Sequence, residues 1–264
     1  MKRLGEALNG RMPGRANRPA VPPPPQADEC PICKGARYLR LDAPYGSPLF
    51  GRLVDCECRL AEQRRRDFEE LQLLSNLEPF RDKTFESFDS KVNGVGRAYE
   101  EALKFAKNPN GWLILTGRCG TGKTHLAAAI ANKVIQEQQF QTFFTVVPDL
   151  LDHLRSTFGP SSEISYDELF EKVRSTPLII LDDLGTENAT PWAREKLYQI
   201  INHRYNYGLP TVITMNRNLE EIDERIRSRM QDTSLCVLIH IQAADYRLKQ
   251  PGERLRRTKS RRTV

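Results

Sequence analysis

The chain has 264 residues, 39% of them hydrophobic, and a formal net charge of +6, which is room for one α/β domain of about 150–200 residues and a small extra module. No apolar run approaches the roughly 18–20 residues of a membrane span, and Met1 to Pro25 lacks an apolar signal segment; membrane and secreted classes are excluded and a cytoplasmic protein is expected. The charge sits at the ends: residues 1–26 carry five basic groups against Glu6 and residues 248–264 seven against Glu253, which leaves residues 27–247 at −4.

In chain order, residues 1–28 hold the run Pro22 to Pro25 and few apolar side chains, so a disordered, polyproline-biased arm is expected. Residues 29–58 form a small module with four cysteines, an extended stretch Arg37–Leu41 and a turn-rich loop Pro44–Gly51. Residues 59–77 read as a linker helix, with Leu60, Phe68, Leu71 and Leu74 among charges. Over residues 78–247, apolar strands alternate with helices. The strands are Trp112–Leu115, Phe143–Val147, Leu178–Leu181, Thr211–Met215 and Cys236–Ile241; the helices are Lys123–Gln138, Pro148–Phe158, Tyr166–Arg174, Pro191–Asn206 and Leu219–Met230. Continuous apolar strands separated by helices predict a five-stranded, mostly parallel sheet covered on both faces. Residues 248–264 read as a basic disordered tail, suited to phosphate backbones or simply to solubility.

The segment Gly117-Arg118-Cys119-Gly120-Thr121-Gly122-Lys123-Thr124 matches G-x-x-x-x-G-K-[ST] between a strand and a helix. Gly117, Cys119, Gly120, Thr121 and Gly122 offer backbone N–H groups to a β-phosphate, and Lys123 reaches the β and γ oxygens. Thr124 supplies a hydroxyl to Mg²⁺. His125, next in line, reads as a packed or capping residue at the same nucleotide site. The strand Leu178–Leu181 runs into Asp182-Asp183 at an edge that faces the ligand crevice in such sheets. Asp182 is placed to hold Mg²⁺ through water, and Asp183 to orient and deprotonate the attacking water; the plain alternative is a pair of capping carboxylates. Asn216 ends the next strand, within reach of a γ-phosphate. Arg225 and Arg229 share a helix face from which an arginine could serve a neighbouring subunit.

Cys30-x-x-Cys33 and Cys56-x-Cys58 provide four thiolates for a closed tetrahedral Zn²⁺ site, with an iron–sulfur cluster or unliganded thiols as alternatives. A span this short has too little apolar core to fold without a metal. Cys119 and Cys236 read as small packing residues.

The order GRCGTGKTHLA, LIILDDLG, TVITMN, ERIRSRM and ADYR resembles the DnaC/DnaI/IstB branch of the AAA+ ATPases, the bacterial helicase loaders and transposition helpers. The resemblance implies an ATP- and Mg²⁺-dependent homo-oligomer with shared active sites. Asn216 would be the first sensor, Arg229 the arginine finger with Arg225 as its substitute, and Arg247 the second sensor. It also implies a replicative hexameric helicase and single-stranded DNA as partners, with the zinc module touching the helicase and the region of Arg155, Lys172 and Arg174 lining the DNA path. Two departures stand out: Asp183 where many AAA+ ATPases carry Glu, and an end soon after Arg247 that leaves no room for a separate lid. The expected function is helicase loading, with a slow, partner-stimulated ATPase. The alternatives are an IstB-type transposition helper and a nucleotide-switched binding protein with little turnover.

Overall fold

The strands of the larger unit are largely apolar because a parallel sheet covered by helices hides most of both faces. In a computed structural model of the chain, residues 30–138, 140–157, 165–186, 190–216 and 219–248 are described. The arm expected over 1–28 and the tail after Leu248 lie outside them. The chain divides into two units, residues 1–63 and 64–264, and no helix among the described residues is long and apolar enough to cross a membrane.

In the smaller unit, β1 (Tyr38–Arg40) and β2 (Leu53–Asp55) pair antiparallel, Leu39 opposite Val54. Cys30 and Cys33 sit on a turn whose following residues Lys34, Gly35 and Arg37 have positive φ. Helix α1 runs Glu57–Leu73 and not over residues 59–77 as the periodicity suggested. It starts early because Cys58 lies in its first turn, and ends early because residues 74–76 turn to meet a sheet edge.

The larger unit is built on a five-stranded sheet of order β4-β5-β6-β3-β7, all parallel. The strands are β3 (Trp112–Gly117), β4 (Thr142–Val146), β5 (Leu178–Leu184), β6 (Thr211–Met215) and β7 (Cys236–Ile241). The helices are α2 (Gly96–Lys107), α3 (Lys123–Gln138), α4 (Val147–Ser156), α5 (Tyr166–Ser175), α6 (Pro191–Asn206) and α7 (Glu224–Met230). Strand alternation splits the core in two. Leu113, Leu115, Ile180 and Val212 pack with α2 and α3; Ile114, Ile179, Leu181 and Ile213 pack with α4 to α7. The helix expected over Leu219–Met230 is interrupted: a short turn at Leu219–Glu221 gives way at Asp223, whose carboxylate accepts from the Arg225 N–H and starts α7 afresh.

Edge strand β4 is sealed by side chains at the end of α1 and just beyond it. The Gln72 amide donates to the Thr142 carbonyl at 2.7 Å, Ser75 Oγ and the Asn76 N–H donate to the Phe144 carbonyl at 3.0 Å, and Asn76 Oδ1 accepts from the Val146 N–H. At the opposite end of the strands, Arg204 is fully buried, with no carboxylate partner among the described residues. Its guanidinium donates to the carbonyls of Arg174, Thr176 and Pro210 and to Thr211 Oγ1. Five fixed donors satisfy the frayed end of α5 and the entries to β5 and β6 together.

Arg204→Met should therefore cost about 3 kcal/mol or more, because several buried acceptors lose their donors. Arg204→Lys should recover only part of this, its ammonium being unable to span the same carbonyls. Urea denaturation of the two variants checks the ranking.

Candidate nucleotide site

All five strands of the sheet end at one edge, and the loops leaving β3, β5, β6 and β7 meet there around a pocket of about 560 Å³, within the range of small-molecule sites. Gly117 closes β3, and the next residues wrap into a loop that opens α3. Gly120 and Gly122 have φ of +76° and +96°, a region L side chains avoid. A Cβ on Gly122 would stand 2.8 Å from the Phe88 ring, and one on Gly120 would run into the Asp245 carboxylate. The loop is thus pinned by aromatic packing on one side and by residues after β7 on the other. The Tyr246 N–H donates to the Gly120 carbonyl at 3.0 Å.

Lys123 is buried, and its ammonium donates to the carbonyls of Gly117 and Arg118, each at 2.8 Å. Burial lowers its pKa, an effect that the negative charges of Asp183 and Asp182 offset in part. Thr121 Oγ1 ties the loop to the Arg118 carbonyl. His125 Nε2 donates to the Thr84 carbonyl at 2.9 Å and lies 3.2 Å from Ser87 Oγ, and its ring meets Phe88 edge-on. Phe88 in turn stacks on Tyr99. His125 lines the pocket and braces the wall formed by residues 82–89.

Asp182 lies behind the pocket wall, 3% exposed, whereas Asp183 lines the pocket. Burial pushes the Asp182 carboxyl up to about 6, and the neighbouring Asp183 adds to this against hydrogen bonds from Thr214 and Thr124. The Thr124 hydroxyl and the Asp182 carboxylate therefore converge, a pair of hard oxygen donors that fits Mg²⁺. Asp183 has a φ of +60°, a strained backbone of the kind that collects at active sites. Asn216 Nδ2 donates to its Oδ1 at 2.6 Å.

The remaining expected residues separate into two groups. Asn216 and Arg247 line the pocket, and so does Cys119. Cys119 is exposed, which corrects its reading as a packing residue. Cys236 is buried, its thiol on the Arg229 carbonyl. Arg225 and Arg229 lie outside the pocket on α7, their guanidinium carbons 4.0 and 5.1 Å from the centre of the Tyr198 ring. Arg229 donates to Asn202 Oδ1 at 2.6 Å and to the Arg225 carbonyl; Arg225 faces Asp223 and Glu195. Arg155, Lys172 and Arg174 all sit on carboxylates, Lys172 on three of them (Asp67, Glu70 and Glu168). The sequence offered no signal for the contact of Asp245 with Gly120, although Asp245 lies inside the ADYR segment.

In the smaller unit, the sulfurs of Cys30, Cys33, Cys56 and Cys58 lie within 4.8 Å of one another. The pairs Cys30–Cys56 and Cys33–Cys58 are 3.9 and 3.5 Å apart, close to the edge of about 3.8 Å that Zn–S bonds of about 2.3 Å give a tetrahedron. Burial opposes ionisation of Cys33, but hydrogen bonds from the Arg37 backbone and from Cys58 and Cys30 outweigh it and bring the thiol down to about 6. Burial and the bonded thiols push Cys58 up to about 12. Four sulfurs this close cannot all ionise unless a cation compensates them, so the donor set fits a zinc ion.

Comparison with known proteins follows the same lines. The replicative helicase loader DnaC of Escherichia coli (strain K12) is 27% identical over 152 residues, covering 56% of this chain and 61% of the relative. The replicative helicase loader DnaI of Bacillus subtilis (strain 168) is 32% identical over 111 residues, covering 42% of this chain and 34% of the relative. The chain thus spans between one third and three fifths of the length of these relatives. The fold matches a crystal structure of the DnaC helicase loader with a TM-score of 0.56 at 24% identity, over 62% of this chain and 99% of that one. It also matches AMPPCP-bound DnaA from Aquifex aeolicus with a TM-score of 0.58 at 21% identity, over 70% of this chain and 57% of that one. With the model of the IstB-like ATP binding proteins matching residues 47–261, the chain belongs to that family of AAA+ ATPases.

Proposed function

We propose that this chain hydrolyses ATP and uses the cycle to load a replicative hexameric helicase onto DNA. The observation that carries the ATPase reading is the convergence of Lys123, Thr124, Asp182, Asp183 and Asn216 at one sheet edge, with Arg229 outside the pocket of its own chain. The helicase as partner is supported by the DnaC and DnaI relatives.

Loop N–H groups and Lys123 hold the β- and γ-phosphates, and Arg247 approaches from the segment after β7. Mg²⁺, held by Thr124 and through Asp182, neutralises charge on the phosphate oxygens when bound. Asp183 accepts a proton from water as the water oxygen bonds to the γ-phosphorus and the bond to the ADP oxygen breaks. Asn216, already bonded to Asp183, orients that carboxylate and reads the γ-phosphate. Arg229 reaches the γ-phosphate of a neighbouring copy, and its contacts with Asn202 and Tyr198 preset its direction. A transposition role is favoured by the family model; stimulation by a transposase and not by a helicase would select it.

Lys123→Ala should lose most ATP binding, whereas Asp183→Asn should bind ATP and lose turnover by about a hundredfold or more, the usual weight of a general base. ATP hydrolysis measured with and without a hexameric helicase and single-stranded DNA tests both. Parental turnover in Asp183→Asn would remove it as the base.

Arg229→Ala should bind ATP normally and hydrolyse it poorly. Mixing it with Lys123→Ala should restore part of the activity, because a mixed interface pairs an intact pocket with an intact arginine. If no mixing ratio restores activity, Arg229 does not act between subunits.

We also propose that one Zn²⁺ per chain is bound by Cys30, Cys33, Cys56 and Cys58, and that this module docks the partner. Metal analysis of Cys56→Ser should show the zinc lost. Chelation of the parent should expose residues 30–63 to protease while nucleotide affinity stays unchanged, since the metal is what folds a module this small. Zinc-free parent protein would refute the site.

A further inference from the structure

β5 and β6 keep parallel register through Leu181 opposite Ile213, lose it at Asp182-Asp183, and regain it at Leu184 opposite Met215. At this irregularity Asp183 takes its φ of +60°, and its N–H no longer meets a strand carbonyl. Thr214 Oγ1 on β6 accepts that N–H at 3.0 Å. The same hydroxyl donates its own proton to Asp182 Oδ1 at 2.6 Å. Thr214 is fully buried, so water cannot stand in for either bond. Among side chains of this size only a hydroxyl donates and accepts strongly at once. Asn216, two residues on and just past the end of β6, holds the Asp183 carboxylate.

We infer that Thr214 is a positioning residue of the ATP site, whose one hydroxyl aims the Asp182 carboxylate at the cation position and pins the backbone of Asp183 so that its carboxylate faces the pocket. This rests on the reading of Asp182 and Asp183 given above. It accounts for a fixed relation between the two carboxylates: both are referred to one oxygen atom on the neighbouring strand. A threonine that merely fills space in the core would affect stability alone.

The test compares Thr214→Val, which keeps the shape and removes the hydroxyl, with Thr214→Ser, which keeps the hydroxyl. In the full chain, melting temperature, affinity for a non-hydrolysable ATP analogue in EDTA and in Mg²⁺, and the kcat and KM of ATP hydrolysis are measured. Thr214→Val should bind the analogue in EDTA as the parent does and lose most of the gain in affinity that Mg²⁺ brings. Its kcat should fall by about tenfold or more, the weight of one hydrogen bond to a charged group, with KM little changed. Thr214→Ser should restore both the Mg²⁺ gain and kcat. If Thr214→Val does not fold, Thr214→Cys replaces it with the same expectations, since a thiol is a weak donor and acceptor. A hydroxyl-free variant with parental Mg²⁺ gain and kcat overturns the role of Thr214. So does a serine variant as impaired as the valine one, because the defect then follows volume and not the hydroxyl. A parent chain that binds no nucleotide overturns the ATP reading itself, a result distinct from either.

Discussion

β3 is the strand on which the rest of the larger unit depends. It is paired on both sides, by β6 and β7, and all six of its residues are buried. Its last residue is already the first glycine of the phosphate loop, so no slack separates the sheet from the site. The loop can hold its shape only while Phe88 packs on one side and the segment after β7 closes on the other. Those two supports come from opposite ends of the domain sequence, and the sheet brings them to one edge. A parallel sheet makes this economical, because every strand delivers its carboxyl end to the same place.

The electrostatics of that edge are unfavourable to the fold by itself. Asp182, with its carboxyl raised to about 6 by burial, binds its proton more tightly folded than unfolded. Its contribution therefore turns against folding as the pH rises from about 4 through 6, by roughly 3 kcal/mol at neutral pH. Buried Lys123, with its pKa lowered, also costs stability while charged, but with the opposite pH dependence: its cost grows as the pH falls from the basic side. Both costs recede when opposite charge enters the pocket. The site is thus tuned to be stabilised by what it binds, and binding and local order are linked.

Much of this was legible in the sequence, and the physical reasons are specific. Continuous apolar runs located all five strands, because a doubly covered strand has no polar face to interrupt the pattern. The phosphate loop announced itself through glycines that no other residue can replace. Helix α2 went unlocated because its buried face is Ala98, Ala102, Phe105 and Ala106, mostly residues too small to make a strong stripe. Strand β2 is three residues long and leaves no period to read. The break before α7 was visible in principle, since Asp223 is a good N-cap. Thr214 and Asp245 were out of reach, as their roles arise from strands and loops that meet only in three dimensions. The pairing of Arg155, Lys172 and Arg174 with carboxylates was hidden for the same reason: composition counts charges but does not show which are already matched.

The sealing of β4 by Gln72, Ser75 and Asn76 has a consequence for crowding. Among the described residues, β7 has a neighbouring strand on one side only, so within them the sheet has one open margin and not two. Strand addition by identical molecules needs two open margins on each to run on into a fibre. With one, edge-to-edge encounter stops at a pair. Three polar side chains thus limit the polymerisation order of this sheet at a position remote from its chemistry.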